Sequence, residues 1–325
     1  MKTPKFVPHP LLKHPQAQTA FGALFARPVK LESTLRLWVD LGDGDSLLLN
    51  EEPAKHDDTD KPVVIILHGL GGSGDGATII RQSAKLNQHG YTAIRFHHRG
   101  CGRGVGGRAK QIYHSGRTGD IVRALNYLEK RWPGRPVLAI AYSLSGNMLL
   151  RLLGNTAPSQ IPNLAGALAI CPPIDLEACS NAIATARNRH IDRFFSYFVT
   201  KQAIARDRQL AKYRNPNLRH GLSLREFDAV YTAPNAGFKS REEYYRECSA
   251  APVLAKISLP TTILAAKDDP IIPSSIFDDR VPQHINLRLE QHGGHVGFYA
   301  ASVTPYGDRR WVDAFVLDWV KASHR

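Results

Sequence analysis

Residues 138–150 read LAIAYSLSGNMLL, and this stretch decides the fold. Five apolar residues run into Ser143 and an amphipathic pattern starts directly after it, which reads as strand, sharp turn and helix. Where an incoming strand and an outgoing helix nearly touch, the residues two positions either side of the apex must be small. The usual form is G-x-S-x-G, an elbow that lifts a nucleophilic serine above a parallel sheet. Here the flanks are Ala141 and Ser145, the next smallest residues, and Gly146 adds room one position later. The steric condition survives although both glycines are replaced. On this stretch alone Ser143 reads equally as a nucleophile and as a serine capping the helix after a buried strand.

The surrounding chain repeats the strand and helix theme. TLRLWVDLGDGDSLLLNEEP, at 34–53, alternates apolar and polar residues about an Asp-Gly turn, the pattern of a β-hairpin. After it come short apolar runs closed by glycine, proline or polar residues: PVVIILHG, YTAIRFHHRG, VLAIAYS, LAGALAICPP, TTILAAKDDP and NLRLEQHGG. Helix-period segments such as TIIRQSAKLNQHG and GDIVRALNYLEKRW separate the early ones. This alternation specifies an α/β fold, a mostly parallel doubly wound sheet with an antiparallel hairpin at its leading edge. The closing pattern RRWVDAFVLDWVKASHR places Val312, Phe315, Val316, Trp319 and Val320 on one helical face.

The alternation stops between about 176 and 250. The expected organisation is a core built from 1–175 and 251–325 with a helical cap insertion over 176–250. Over 181–225 ten Lys or Arg stand against two acids, so much of the net charge of +13 falls on the insertion, together with the aromatic cluster Phe194, Phe195, Tyr197 and Phe198.

At 325 residues, 43% hydrophobic and 22% charged, the composition is that of a soluble globular protein able to bury a large core. No apolar run approaches the roughly 18 residues of a membrane span. The first 25 residues are broken by prolines and lysines, unlike a signal peptide, and a cytoplasmic location is expected. Cys101, Cys171, Cys179 and Cys248 lack C-x-x-C spacing, which argues against zinc and against a disulfide framework. The basic charge keeps anionic membranes and nucleic acids in view as partners. No interleaved aromatic and basic nucleic-acid module is present, so peripheral contact with an anionic membrane is expected and nucleic-acid binding is not.

In an open parallel sheet, sites form outside the carboxyl ends of the strands. Those ends carry residues 68–72 (HGLGG), His97, His98 and Arg99, then Ser143, Asp268 and Asp269, and finally His292 and His295. A serine hydroxyl needs a base to take its proton, and an imidazole base needs a carboxylate to hold its tautomer. The order Ser, Asp, His matches the elbow. Two choices stay open: the acid is Asp268 or Asp269, with Asp269 preferred four residues before Pro273, and the base is His292 or His295. His295, deeper in the glycine-rich loop, is preferred. H-G-G-H lacks a third ligand at matching spacing, so no metal and no cofactor is expected. Two backbone N–H groups, of Leu144 and of Leu70, are expected to form an oxyanion hole. His68 reads as ordering the HGLGG loop, Arg99 as pairing with an acid beneath the site, and Asp120 as a helix-start carboxylate. Phe194, Phe195 and Phe198 are expected to wall an apolar substrate slot.

The ordered motifs PQAQTAFGALFAR, HGLGG, HHRGCG, YHSGRTGD, AYSLSGNM, EYYRECSA, AKDDPIIP and QHGGHVGF resemble those of the YheT-like family of α/β-hydrolases, hydrolase family 4, nearly end to end. The resemblance implies the α/β-hydrolase fold and places the family's charge-relay residues on Ser143, Asp269 and His295. This chain departs from the family pattern at Ala141 and Ser145, and carries Gln16-Ala17-Gln18-Thr19 where H-x-Q-T is usual. Neither departure removes a reacting group. The resemblance further implies a serine hydrolase cleaving carboxylic esters of short to medium acyl chains, lipid esters among them, through an acyl-enzyme on Ser143. The competing expectations are acyl transfer to an alcohol by the same residues and a non-catalytic protein that binds a partner through its basic cap.

Overall fold

The computed structural model describes residues 3–24, 29, 31, 33–54, 60–102, 108–210 and 215–324; residues 25–27 of the N-terminal motif and 211–214 of the basic segment lie outside them. Eight strands form one sheet: β1 (Leu35–Asp40), β2 (Ser46–Glu52), β3 (Val63–Leu67), β4 (Ala93–His97), β5 (Val137–Tyr142), β6 (Leu164–Ile170), β7 (Thr261–Ala266) and β8 (Asn286–Glu290). Their order is β1-β2-β4-β3-β5-β6-β7-β8. The β1–β2 and β2–β4 pairs are antiparallel and all others are parallel.

The helices are α1 (Pro15–Leu24), α2 (Ala77–Gln88), α3 (Gly119–Arg131), α4 (Leu144–Asn155), α5 (Leu176–Ile183), α6 (Arg189–Gln209), α7 (Leu224–Phe227), α8 (Ala233–Asn235), α9 (Arg241–Cys248) and α10 (Trp311–Ser323). Among the described residues, none is long and apolar enough to cross a membrane.

The uninterrupted apolar runs of β3 and β5 follow from this layering. Val63, Ile65 and Leu67 join one core while Val64 and Ile66 join the other, and β5 divides the same way. Alternate side chains point to opposite faces, so a strand covered by helices on both sides must be apolar throughout.

Helix α10 departs from the single buried face read in its sequence. Trp311, Ala314 and Leu317 are buried along with Val312, Phe315, Val316, Trp319 and Val320. An N-terminal arm covers the second side: Trp311 Nε1 donates to Pro4 O at 3.0 Å, and the Phe6 ring lies 5.4 Å from Phe298 and 5.5 Å from Trp311. Buried Asp313 is neutralised by Arg81 at 2.7 Å and Lys85 at 3.0 Å. The arm continues along the C-terminal segment through a Pro8–Ala300 bridge and His9 N donating to Tyr299 O at 3.0 Å.

After β3 the chain adds β4 on one side, then returns to add β5 on the other. Such a reversal opens a crevice at the carboxyl ends of the two strands concerned. It sets the HGLGG loop after β3 against Ser143 after β5. The approach is close enough that a Cβ on Gly69 would lie 3.2 Å from Ser143 Cβ and 3.4 Å from Tyr142 O.

Candidate active site

Ser143 sits between β5 and α4 at φ 51, ψ −121, a backbone region costly for an L-residue. The turn is held by Ser143 N donating to Ile170 O at 2.8 Å and Gly146 N donating to Ser143 O at 2.7 Å. Gly146 is closely packed, and a Cβ there would come 3.0 Å from Pro172 Cβ and 3.3 Å from Ala141 O.

Ser145, standing in place of the second motif glycine, adds a contact. Its hydroxyl donates to His68 O and faces His98 Nε2 at 2.7 Å. Because its single proton goes to the carbonyl, His98 Nε2 is the donor in the second bond. The opposite nitrogen, His98 Nδ1, is then an unprotonated acceptor, and among the described residues it is buried without a partner. His68 is neutral too: Nδ1 donates to Gly69 O at 2.8 Å while Nε2 accepts from His98 N at 3.3 Å. Burial, the largest influence, lowers the His68 pKa to about 4 and holds His98 well below the ordinary imidazole value. The elbow and the HGLGG loop are thereby joined by one polar network.

His295 Nε2 lies 2.8 Å from Ser143 Oγ, and His295 Nδ1 lies 2.8 Å from Asp269 Oδ2. The other Asp269 oxygen accepts from Ile271 N at 2.8 Å and Ile272 N at 3.0 Å, which fixes the carboxylate plane. Asp268 and His292 form a separate and more exposed pair at 3.2 Å, and Asp268 also accepts from Gly294 N at 2.9 Å. The structure therefore brings Asp269 and His295 to Ser143 and uses Asp268 and His292 to shape the loop. Donor atoms of Cys171, Asp269 and His295 fall within 4.8 Å of one another. Both His295 nitrogens are already engaged by Ser143 and Asp269, so the cluster has the connectivity of a proton relay.

Leu144 N heads α4 and Leu70 N lies in the loop beside Ser143; among the described residues neither has a protein acceptor. The positive end of the helix dipole adds to the field there. Beneath the loop, Arg99 spends its guanidinium on Asp120 at 2.7 and 2.8 Å, Asp43 at 2.7 Å and Asp45 at 2.9 Å. Asp120 stands in the first turn of α3, with its carboxylate turned to Arg99. The hairpin turn carrying Asp43 and Asp45 is thus tied to the floor of the site.

Two residues of the site carry no role in the sequence reading. Thr19 Oγ1 accepts from His295 N at 2.9 Å and donates to Pro15 O at 2.8 Å. Gln18 clamps the next residues, its side chain donating to Tyr299 O at 3.1 Å and accepting from Tyr299 N at 2.7 Å. The only available signal was the Q-T pair of the N-terminal motif. Removing the Thr19 acceptor leaves the His295 loop one bond short, so Thr19→Val is expected to lower kcat about tenfold with little change in KM, the kinetic equivalent of about 1.4 kcal/mol. Thr19→Ser should restore most of it, and steady-state kinetics on the two variants checks both.

Ser143 lies between two cavities. An inner one of about 80 Å³ is walled by Leu144, Leu176, Ile183, Phe195, Leu224 and Ile271, and it adjoins a further chamber of about 70 Å³ that shares Leu70, Leu144, Asp228 and Tyr244. An outer cleft of about 380 Å³ includes Thr19, Gly69, Ser73, Thr78, His190 and Phe194. Of the expected aromatic wall, Phe195 faces both sides of Ser143 and Phe194 faces only the outer cleft. Phe198 lines none of these cavities. One helical turn beyond Phe194, it packs on Phe194 and Tyr197 with ring centroids at 4.9 and 5.4 Å. Asp228 opens a π turn (Asp228–Thr232) on the wall shared by the two inner chambers. Burial raises its pKa to about 6 against hydrogen bonds from Thr232 and Tyr245.

These groups set the response to acid. Burial lowers His68 and His97 to about 4 and His114 to about 3, so the unfolded chain takes up protons below the ordinary value of 6.5 that the folded chain refuses. Stability contributed by neutral histidines is present above 6.5 and lost as pH falls through this window. Asp228 acts oppositely, its folded form holding a proton between about 6 and 3.8, as does Asp192, which burial also raises, but the buried histidines outnumber them. Urea midpoints are therefore expected to fall steadily from pH 7 to pH 5, with a shallower fall in Asn or Gln variants of His97.

A family model described as alpha/beta hydrolase fold matches residues 62–301. Escherichia coli YheT, assigned as an esterase, is 32% identical over 97% of this chain and 93% of its own length. A Saccharomyces cerevisiae monoacylglycerol lipase is 28% identical over 84% of this chain, and the match spans 62% of that protein. Among solved structures, an esterase of Pyrococcus furiosus superposes with a TM-score of 0.54 at 15% identity, covering 90% of this chain and 89% of that one, a likeness of fold.

Proposed function

The chain belongs to the α/β-hydrolase family and to its YheT-like branch, and from that premise we propose that it is a serine hydrolase of carboxylic esters with short to medium acyl chains. Relatives named esterase and monoacylglycerol lipase support the hydrolysis of ester substrates. The observation that carries the finer reading is the unbroken relay from Ser143 Oγ through His295 to Asp269, with 2.8 Å at each link, set on a strained elbow.

In this reading Ser143 Oγ attacks the ester carbonyl carbon as its proton passes to His295 Nε2. The carbonyl π electrons move to oxygen, which the Leu70 and Leu144 amides receive. Asp269 holds the His295 tautomer and stabilises the imidazolium. Collapse of the tetrahedral species breaks the carbon–oxygen bond to the alcohol, which leaves with the proton from His295. A water then gives its proton to His295, attacks the acyl carbon, and releases the acid and Ser143.

The segment 176–250 serves as a cap on the core of 1–175 and 251–325, and the two cavities divide the substrate. The small apolar inner space takes the acyl chain and the larger outer cleft takes the alcohol. Each buried CH2 is worth about 0.8 kcal/mol, roughly fourfold in specificity, until the inner space is full. The test is a p-nitrophenyl ester series from acetate to laurate, with labelling by a fluorophosphonate. The reading expects kcat/KM to rise with chain length to a maximum and then fall, and the probe to modify Ser143. Absence of both turnover and labelling would overturn it.

A further inference from the structure

The outer face of α6 is unlike any other helical surface among the described residues. Phe194, Tyr197 and Phe198 are 39%, 50% and 38% exposed, so three of the seven exposed large apolar side chains stand within about one turn of a single helix. Phe194 meets Phe198 at an interplanar angle of 61° and Tyr197 meets Phe198 at 82°, which makes the cluster one apolar knob. The exposed ionisable residues of α6 are Arg189, His190, Arg193, Lys201 and Arg208. Its acids turn inward, Asp192 accepting from Leu224 N at 2.8 Å and Asp207 from Tyr231 Oη at 2.9 Å. The face therefore offers aromatic rings ringed by cations with no exposed carboxylate on the helix.

This face borders the candidate site. His190 and Phe194 line the outer cleft that opens on Ser143. About two turns beyond Phe194, Gln202 Nε2 donates to Gly71 O at 3.1 Å, which ties α6 to the HGLGG loop.

We infer that the outer face of α6 docks on an anionic lipid bilayer, its three aromatics entering the boundary between headgroups and acyl chains while Arg193, Lys201 and Arg208 meet lipid phosphates. Aromatic and basic residues on one helical face have the two attractions that hold a helix in that layer, apolar burial and surface potential. Stacking platforms for nucleic-acid bases require open ring faces, and here the rings pack edge to face against one another. The docked orientation turns the outer cleft toward lipid. This inference rests on the esterase reading for its purpose, because it names lipid esters as the substrate source; the binding itself needs no turnover.

Flotation of the full chain and of Ser143→Ala tests it, using vesicles of phosphatidylcholine alone and vesicles with about one third phosphatidylglycerol. Both proteins are expected to float with the anionic vesicles at least about tenfold more strongly, and less so as salt is raised. A triple variant, Arg193→Glu with Tyr197→Ser and Lys201→Glu, is expected to lose about tenfold in vesicle binding. Its turnover of soluble p-nitrophenyl acetate should match the parent, which also shows that it folds. No preference for anionic vesicles, undiminished flotation of the triple variant, or tighter binding of a single-stranded oligonucleotide than of vesicles would each overturn the inference. Vesicle binding without any esterase turnover sustains the docking surface and overturns the hydrolase reading; turnover without vesicle binding does the reverse.

Discussion

Ser143→Ala is expected to lower kcat for p-nitrophenyl esters by about 10⁴ to 10⁶ while KM changes little. The size follows from what Ser143 alone supplies. Without Oγ no acyl-enzyme forms, and the remaining groups offer only binding and the Leu70 and Leu144 amides to a water attacking directly. Relay groups act as a unit, so His295→Ala in addition should cost almost nothing more. A companion variant separates chemistry from folding. Ser143 is held at φ 51, where a Cβ is unfavourable. Ser143→Gly should therefore be as inactive as Ser143→Ala yet more stable, by about 1 kcal/mol in a urea titration. Residual activity within tenfold of the parent in either variant would move the nucleophile elsewhere.

The second large effect is expected at Asp269. Asp269→Asn should reduce kcat by about 10⁴, because the amide can donate to His295 Nδ1 and so place the imidazole proton on the nitrogen that faces Ser143. The neighbouring change supplies the control. Asp268→Asn leaves the 2.8 Å bond between Asp269 and His295 intact and weakens only the more exposed His292 pair and one loop contact. Its expected cost is less than tenfold, in keeping with a single surface-type interaction. Stopped-flow and steady-state kinetics on the pair decide the matter. Equal losses in both would show that the loop, and not one carboxylate, is what the chemistry depends on.

The strands and the elbow serine were legible because both obey local rules. A buried parallel strand is written as a continuous apolar run, and an elbow needs small residues at fixed distances. Local spacing favours Asp269, by its distance to Pro273, and His295, by its depth in the glycine loop, without closing either choice; the fold sorts the four into two pairs, one beside Ser143 and one outside. Thr19 was not legible for a different reason. Its partner His295 is 276 residues away, and no spacing rule reaches across that interval. Ser145 reads as a departure that leaves the reacting groups in place until its hydroxyl is seen to donate to His68 O with the imidazole of His98 behind it. The second buried side of α10 was hidden because the segment that covers it comes from the opposite end of the chain.

That covering segment bears on how the molecule is made. Residues bonded to the His295 loop and to α10 include Thr3, Pro4, His9, Gln18 and Thr19, which leave the ribosome long before their partners are translated. Ser143 and its elbow can form during synthesis, but His295 cannot be held in place until the later part of the chain has arrived and closed on the earlier. A nascent chain halted before residue 295 would have Ser143 and no imidazole beside it. In the proposed reading, hydrolytic competence comes only after His295 and the loop that holds it have been made, and a chain halted short of them is harmless to the esters around it.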